Sequence, residues 1–300
     1  MTLPVTEWIN VNGDVSIIAR ESGEVWFHTT SGTKQDADPF AKPMTGAGST
    51  GSTVRLLDGA IHLGFASIEQ RLARPEPTLA AYVVALVGCY HTSVHTPRNL
   101  CNAASRFKEL GRPEVAAYLE DRAREETGHD RLALKDLRAL GVPAERLVAN
   151  FIPEGIKPLC ERFDDLCAQD YPIACIGYAY CLERISALKQ KADIDKVQAL
   201  CPDGADATRF LRTHSGLGSE VAHVQEAIQF IASLPANDRI SVVRETYESA
   251  LIMAEGYNHE LLKSDAEILE ELEQALAEPL SFRRGRHSSR DEKHGIQPLL

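Results

Sequence analysis

Several signatures that would give this chain a function at sight are missing. There is no Gly-x-Ser-x-Gly elbow, which argues against Ser/His/Asp hydrolysis built on that turn. No Gly-Lys-Ser/Thr follows the glycines of Thr45-Gly46-Ala47-Gly48-Ser49-Thr50-Gly51-Ser52-Thr53, so no phosphate loop is expected there. The longest apolar run, Leu79 to Cys89, falls far short of the roughly 20 residues that span a bilayer, and no membrane span is expected. Met1 to Glu7 lacks the basic region and apolar core of a signal peptide. The seven cysteines are odd in number and contain no Cys-x-x-Cys. They give neither a zinc spacing nor a disulfide framework, and suit reduced thiols in a cytoplasmic protein. Aromatic residues are scarce, at 6%. Positive charge is in deficit: the net charge of −11 and pI near 5.4 argue against a nucleic-acid partner. The one basic patch, Arg283-Arg284-Gly285-Arg286-His287, reads as part of a solvated tail.

What is present is mostly helical pattern. Val15–Arg20 and Glu24–Thr30 read as two short strands joined at Glu21-Ser22-Gly23, a β-hairpin. A Gly/Ser/Thr linker follows to about residue 53. Helices are expected at roughly 55–73, 77–95, 98–110, 114–140, 153–169, 172–192, 205–214, 217–234 and 237–277, divided by Pro and Gly punctuation. The expected organisation is an N-terminal extension over 1–54, a helical domain over 55–278 and a polar tail over 279–300.

Chemistry-bearing residues recur on these helices. Glu126 and His129 are three apart, about 60° around one expected helix, and so share a face. Glu220 and His223 repeat the Glu-x-x-His spacing. Glu183 stands near the middle of Cys175–Leu188, the least polar helix, where a buried carboxylate must be paired, protonated or bound to a metal. His91 and His95 stack one turn apart. His214 precedes two glycines that let both ends of its segment aim into one cavity. Each residue also has a plainer reading. Glu126 and His129 sit in a charged run that could be a solvated face. His91 and His95 could be buried polar side chains bonded to backbone. Glu183 could pair with Arg184 or Arg212, and His214 could cap a helix. Gly128, costly inside a helix, suggests close packing against that turn. Taken together, two Glu-x-x-His pairs and a lone Glu form a pattern by which helix bundles hold two metals. Carboxylate and imidazole without thiolate suit iron or manganese.

Glu125-Glu126-Thr127-Gly128-His129-Asp130, followed by Leu134-Lys135-Asp136-Leu137 and Leu140-Gly141, resembles the haem-oxygenase-like diiron oxidase/oxygenase group. Tyr90–Arg98, Gly177–Glu183 and His214–His223 come in the order of that group, and the resemblance spans about residues 55–265. It implies an all-α, haem-oxygenase-like bundle of about seven helices. It implies two iron ions, or manganese, held by Glu126, His129, Glu183 and His223, with His214, Glu220, His91 and His95 completing the set. It further implies dioxygen and a small amine, amino acid or fatty acid as substrates, often in natural-product synthesis, and a homodimer. The chain departs from the group at two places. His91 and His95 stand where a carboxylate is usual, and Glu220 stands where a His-x-x-x-Asp-x-x-His element has its Asp. Two other readings keep the fold. One is a metal-independent enzyme like the thiaminase-type or pyrroloquinoline-quinone-type members, whose polar residues bind substrate and move protons. The other is a non-catalytic binding protein with a degenerate site.

Overall fold

The computed structural model describes residues 6–29, 40, 43–46, 48–68, 76–218 and 220–280. The Arg283–His287 patch and most of the tail lie outside the described residues. No helix of the described residues is long and apolar enough to cross a membrane.

The sequence predicts two N-terminal strands, and the described residues form three. β1 (Thr6–Asn10), β2 (Val15–Arg20) and β3 (Val25–Thr29) form an antiparallel sheet in that order. The β2–β3 hairpin turns at Glu21-Ser22-Gly23, with Gly23 at φ +122°. β1 escapes a pattern reading because one of its buried positions is a carboxylate, Glu7. A buried charge is costly unless paired. Glu7 Oε1 accepts from Arg239 Nη2 at 2.5 Å, and the Ser52 hydroxyl bonds the same carboxylate. This pair ties the sheet to the helices.

Among the described residues the helices are α1 (Thr50–Ala66), α2 (Leu79–Val94), α3 (Thr96–Glu109), α4 (Pro113–Glu126), α5 (Asp130–Ala139), α6 (Ala144–Asn150), α7 (Lys157–Cys167), α8 (Cys175–Ala187), α9 (Lys191–Gln198), α10 (Arg209–Thr213), α11 (Glu220–Ser233), α12 (Ala236–Leu261) and α13 (Asp265–Leu276). α1 starts inside the expected linker because Ser49 caps it, accepting from the Ser52 amide. The helix expected over 237–277 divides at Ser264, whose side chain and Glu267 form a capping box that starts α13. α6 and α9 are too short for periodicity to announce.

Two apolar cores result. One gathers Leu57, Phe107, Leu119, Ala123, Tyr180, Val224 and Val243, from α1, α3, α4, α8, α11 and α12. The other gathers Val83, Val87, Ala133, Leu137, Leu147, Phe210 and Leu272, from α2, α5, α6, α10 and α13. α8 crosses α12 at Gly177, where a Cβ would lie 2.1 Å from the Val242 carbonyl oxygen. Only glycine permits that approach.

The largest correction concerns 114–140. The continuous helix expected there is two helices, and the break falls inside the Glu-x-x-His motif. α4 ends at Glu126, Gly128 has φ +94°, and α5 begins at Asp130. Gly128 is also not a packing glycine, since a Cβ there would meet nothing within 4 Å. It is glycine because the backbone turns through the left-handed region. The chain leaves the first core at Ala123 and enters the second at Ala133. The motif therefore lies on the seam between the two cores.

Candidate metal centre

The break brings together what an unbroken helix would only align. The amide of His129 returns to the Glu126 carbonyl at 3.2 Å, and Thr127 Oγ1 donates to the Ala123 carbonyl at 2.8 Å. This tight turn folds the two side chains onto each other: His129 Nδ1 lies 2.9 Å from Glu126 Oε2. Both side chains are largely buried, at 16% and 14% exposure.

The third member, His214, is brought in from α10. It is the C-cap residue of that helix, its amide donating to the Phe210 carbonyl at 2.9 Å. Its ring meets His129 edge to face, centroids 4.6 Å apart, and leans on Phe210. α10 is short and cannot hold its place by propensity. Two buried groups fix it instead. Asp136 of α5, fully buried, accepts from the Phe210 amide at 2.9 Å and from Arg209 Nη1 at 3.1 Å. The Tyr82 hydroxyl of α2 donates to the Ala207 carbonyl at 2.6 Å.

Glu126, His129 and His214 each offer a ligand atom, and the three atoms lie within 4.8 Å of one another. Bonds to a first-row metal of about 2.1 Å set adjacent ligand atoms about 3 Å apart and opposite ones about 4.2 Å apart, so a shift of a few tenths of an ångström at most brings all three onto one ion. Electrostatics agree. Burial pushes the Glu126 carboxyl up, but the His129 hydrogen bond and the imidazoles of His129, His214 and His223 outweigh it. The group is held below the usual carboxylate range and stays ionised.

The other sequence candidates are placed as follows. His223, in the first turn of α11, sets Nε2 3.7 Å from Glu125 Oε2, outside the three-residue group but within its electrostatic reach. Glu183 on α8 lies within electrostatic range of Tyr118 and Arg122 of α4. Arg184 pairs with Asp58, and Arg212 with Asp206. The side chain of Glu220 lies outside the described residues. His91 Nε2 donates to the Phe151 carbonyl at 2.9 Å. His91 and His95 line a separate recess of about 10 Å³ with Asn99 and Asp164, room for about one water. A larger cavity, about 280 Å³, lies between β1 and α12 and is lined by Trp8, Phe40, Ile240 and Arg244. Neither cavity is lined by Glu126, His129 or His214.

Sequence reasoning missed Asp136, Glu125 and Arg122. Asp136 had a readable signal, because it falls on the Ala133–Leu137–Leu140 face of α5, where a carboxylate must find donors. Arg122 sat in a run of charges that reads as solvent-facing.

No protein-family model matches the chain, and no curated protein matches it in sequence. Solved structures do match. A domain of unknown function with a heme oxygenase-like fold from Shewanella denitrificans OS217 is 20% identical, with a TM-score of 0.52 over 78% of this chain and 95% of that one. A TenA homologue from Pseudomonas syringae pv. tomato DC3000 is 13% identical, with a TM-score of 0.52 over 73% of this chain and 98% of its own. A TenA homologue from Pyrococcus furiosus is 10% identical, with a TM-score of 0.50 over 69% and 98%. A haem-oxygenase-like helical bundle, extended by a small N-terminal sheet, is the fold of this chain.

Proposed function

We propose that the chain is a non-haem iron oxidoreductase that uses dioxygen to oxidise a small amine, amino acid or fatty acid. The observation that carries this reading is the buried convergence of Glu126, His129 and His214. Two imidazoles and one carboxylate are a donor set suited to Fe(II) with open positions, and manganese suits the same set. Bound there, ferrous iron would supply the one-electron chemistry that reacts with dioxygen.

The protein's own residues have definite parts. Glu126, held ionised, supplies the negative charge that a divalent ion requires. His129 and His214 would supply imidazole nitrogens in a place largely closed to water. Asp136 and Tyr82 keep His214 in range by fixing the start of α10. Glu125 and His223 form a polar edge beside the trio, 3.7 Å apart.

A second reading rests on the 2.9 Å contact between Glu126 and His129. A carboxylate hydrogen-bonded to an imidazole can pass a proton without any metal. The TenA homologues share the fold, and a metal-independent enzyme on it would use this pair as base and acid. Anaerobic loading with Fe(II), followed by metal analysis and measurement of dioxygen uptake, separates the two. Stoichiometric iron in the wild type, lost together with dioxygen uptake in Glu126→Ala, supports the oxidoreductase. Failure of the wild type to retain iron would favour the proton-transfer reading.

A further inference from the structure

One turn before Glu126 on α4 lies Arg122. Its side chain is only 7% exposed. Nη2 donates to Glu125 at 2.6 Å and to Glu226 of α11 at 2.7 Å. The guanidinium lies 5.8 Å from the centre of the Tyr118 ring, which stacks on Phe230 at 4.0 Å. Glu183 of α8 lies within electrostatic range, its charge raising the pKa of both Arg122 and Tyr118. Glu125 in turn approaches His223, whose Nδ1 is buried without a hydrogen-bond partner among the described residues. Arg122 Nε and Nη1 are likewise buried without partners among the described residues. Charge, rather than a completed set of hydrogen bonds, holds the guanidinium there.

Carboxylates of α4 and α11 thus bind one fixed cation a helical turn from Glu126, with Glu183 of α8 within electrostatic range and an imidazole at the edge. That is the donor set a second divalent ion would require. The place already holds a positive charge that cannot be neutralised by losing a proton. Although Glu125 and Glu226 are partly exposed, a divalent ion entering between them would meet the buried guanidinium at hydrogen-bond range, where screening is least. We propose that the Arg122 guanidinium is the built-in second cation of this site, so that the chain takes up one metal ion at Glu126, His129 and His214 rather than two. The inference deepens the oxidoreductase reading and rests on it.

The test uses the full chain, loaded anaerobically with excess Fe(II), desalted, and assayed for iron per chain and for thermal stability. The wild type is expected to hold one ion. Arg122→Gln, which removes the charge and keeps comparable bulk, is expected to hold two. Metal-free Arg122→Gln should melt well below the wild type, from repulsion among Glu125, Glu183 and Glu226, and recover when Fe(II) or Mn(II) is added. Arg122→Lys, which keeps the charge, should stay at one ion. Two ions in the wild type would overturn the inference and leave the oxidoreductase reading standing. One ion in a folded Arg122→Gln, with no metal-dependent recovery, would also overturn it. If Arg122→Gln does not fold, two ions in the wild type or in Arg122→Lys would still overturn it. No ion in the wild type would instead defeat the metal reading itself.

Discussion

The two histidine pairs of this chain lie on different kinds of backbone. His91 and His95 sit four apart on a helix that runs unbroken from Leu79 to Val94. His129 and His214 are far apart in sequence, and each stands at a helix end. The first pair has the cleaner spacing, yet His91 is taken by the Phe151 carbonyl. The second pair meets at 4.6 Å, with a carboxylate between the two helix ends. Regular spacing aligns side chains along one surface. Convergence from several directions needs ends, where the backbone turns and side chains of different elements can face one point.

The sharpest way to break this comparison is to remove the carboxylate. Glu126→Ala should lower Fe(II) affinity by more than the roughly 100-fold typical of losing an outer-shell partner, measured by anaerobic titration. The double variant His91→Gln/His95→Gln should leave that affinity within about twofold.

Next in size is the support of α10. Asp136→Ala strips the Phe210 amide and Arg209 of their acceptor in a buried place. A loss of about 1–3 kcal/mol in denaturant unfolding is expected, with iron affinity falling about 10-fold because His214 loses its anchor. An unchanged affinity would show that α10 is held by other contacts.

The turn itself comes third. Gly128→Ala places a side chain at φ +94° with ample room around it, so only backbone strain is added. The expected cost is about 1–2 kcal/mol, a few degrees in Tm. A stabilised variant would contradict the left-handed turn.

The smallest effect is one of pH. Burial lowers the pKa of His91, and His95 adds to the lowering, against the opposing Phe151 hydrogen bond. Its folded value thus lies below its unfolded value of about 6.5. The neutral ring contributes stability that is present above that value and lost as pH falls towards the folded pKa. Unfolding free energy measured from pH 7 to 5 should decline less steeply in His91→Gln than in the wild type. Glu126 is also lowered, so its contribution holds above about pH 4.5 and fades only as pH falls below it.

Much of this architecture can be read from residue order. The helical bundle and the hairpin at Glu21-Ser22-Gly23 follow from periodicity and turn chemistry, and residue type singles out Glu126, His129 and His214, which the structure brings close together. What periodicity hides is where a helix stops. Charged residues continue on both sides of Gly128, so the pattern of 114–140 looks continuous although its backbone is not. β1 is concealed by its inward Glu7, whose partner Arg239 lies across the fold. Arg122 is concealed in the same way, since nothing in Asp121-Arg122-Ala123-Arg124 says which arginine turns inward. A buried charge is legible only together with its partner, and partners distant in sequence cannot be read from a single stretch.

The most direct measurement is anomalous diffraction from a crystal loaded anaerobically with Fe(II). The account predicts one strong peak within bonding distance of Glu126, His129 and His214, and none among Arg122, Glu183 and Glu226. A peak between His91 and His95, or no bound iron at the Glu126 turn, would contradict it.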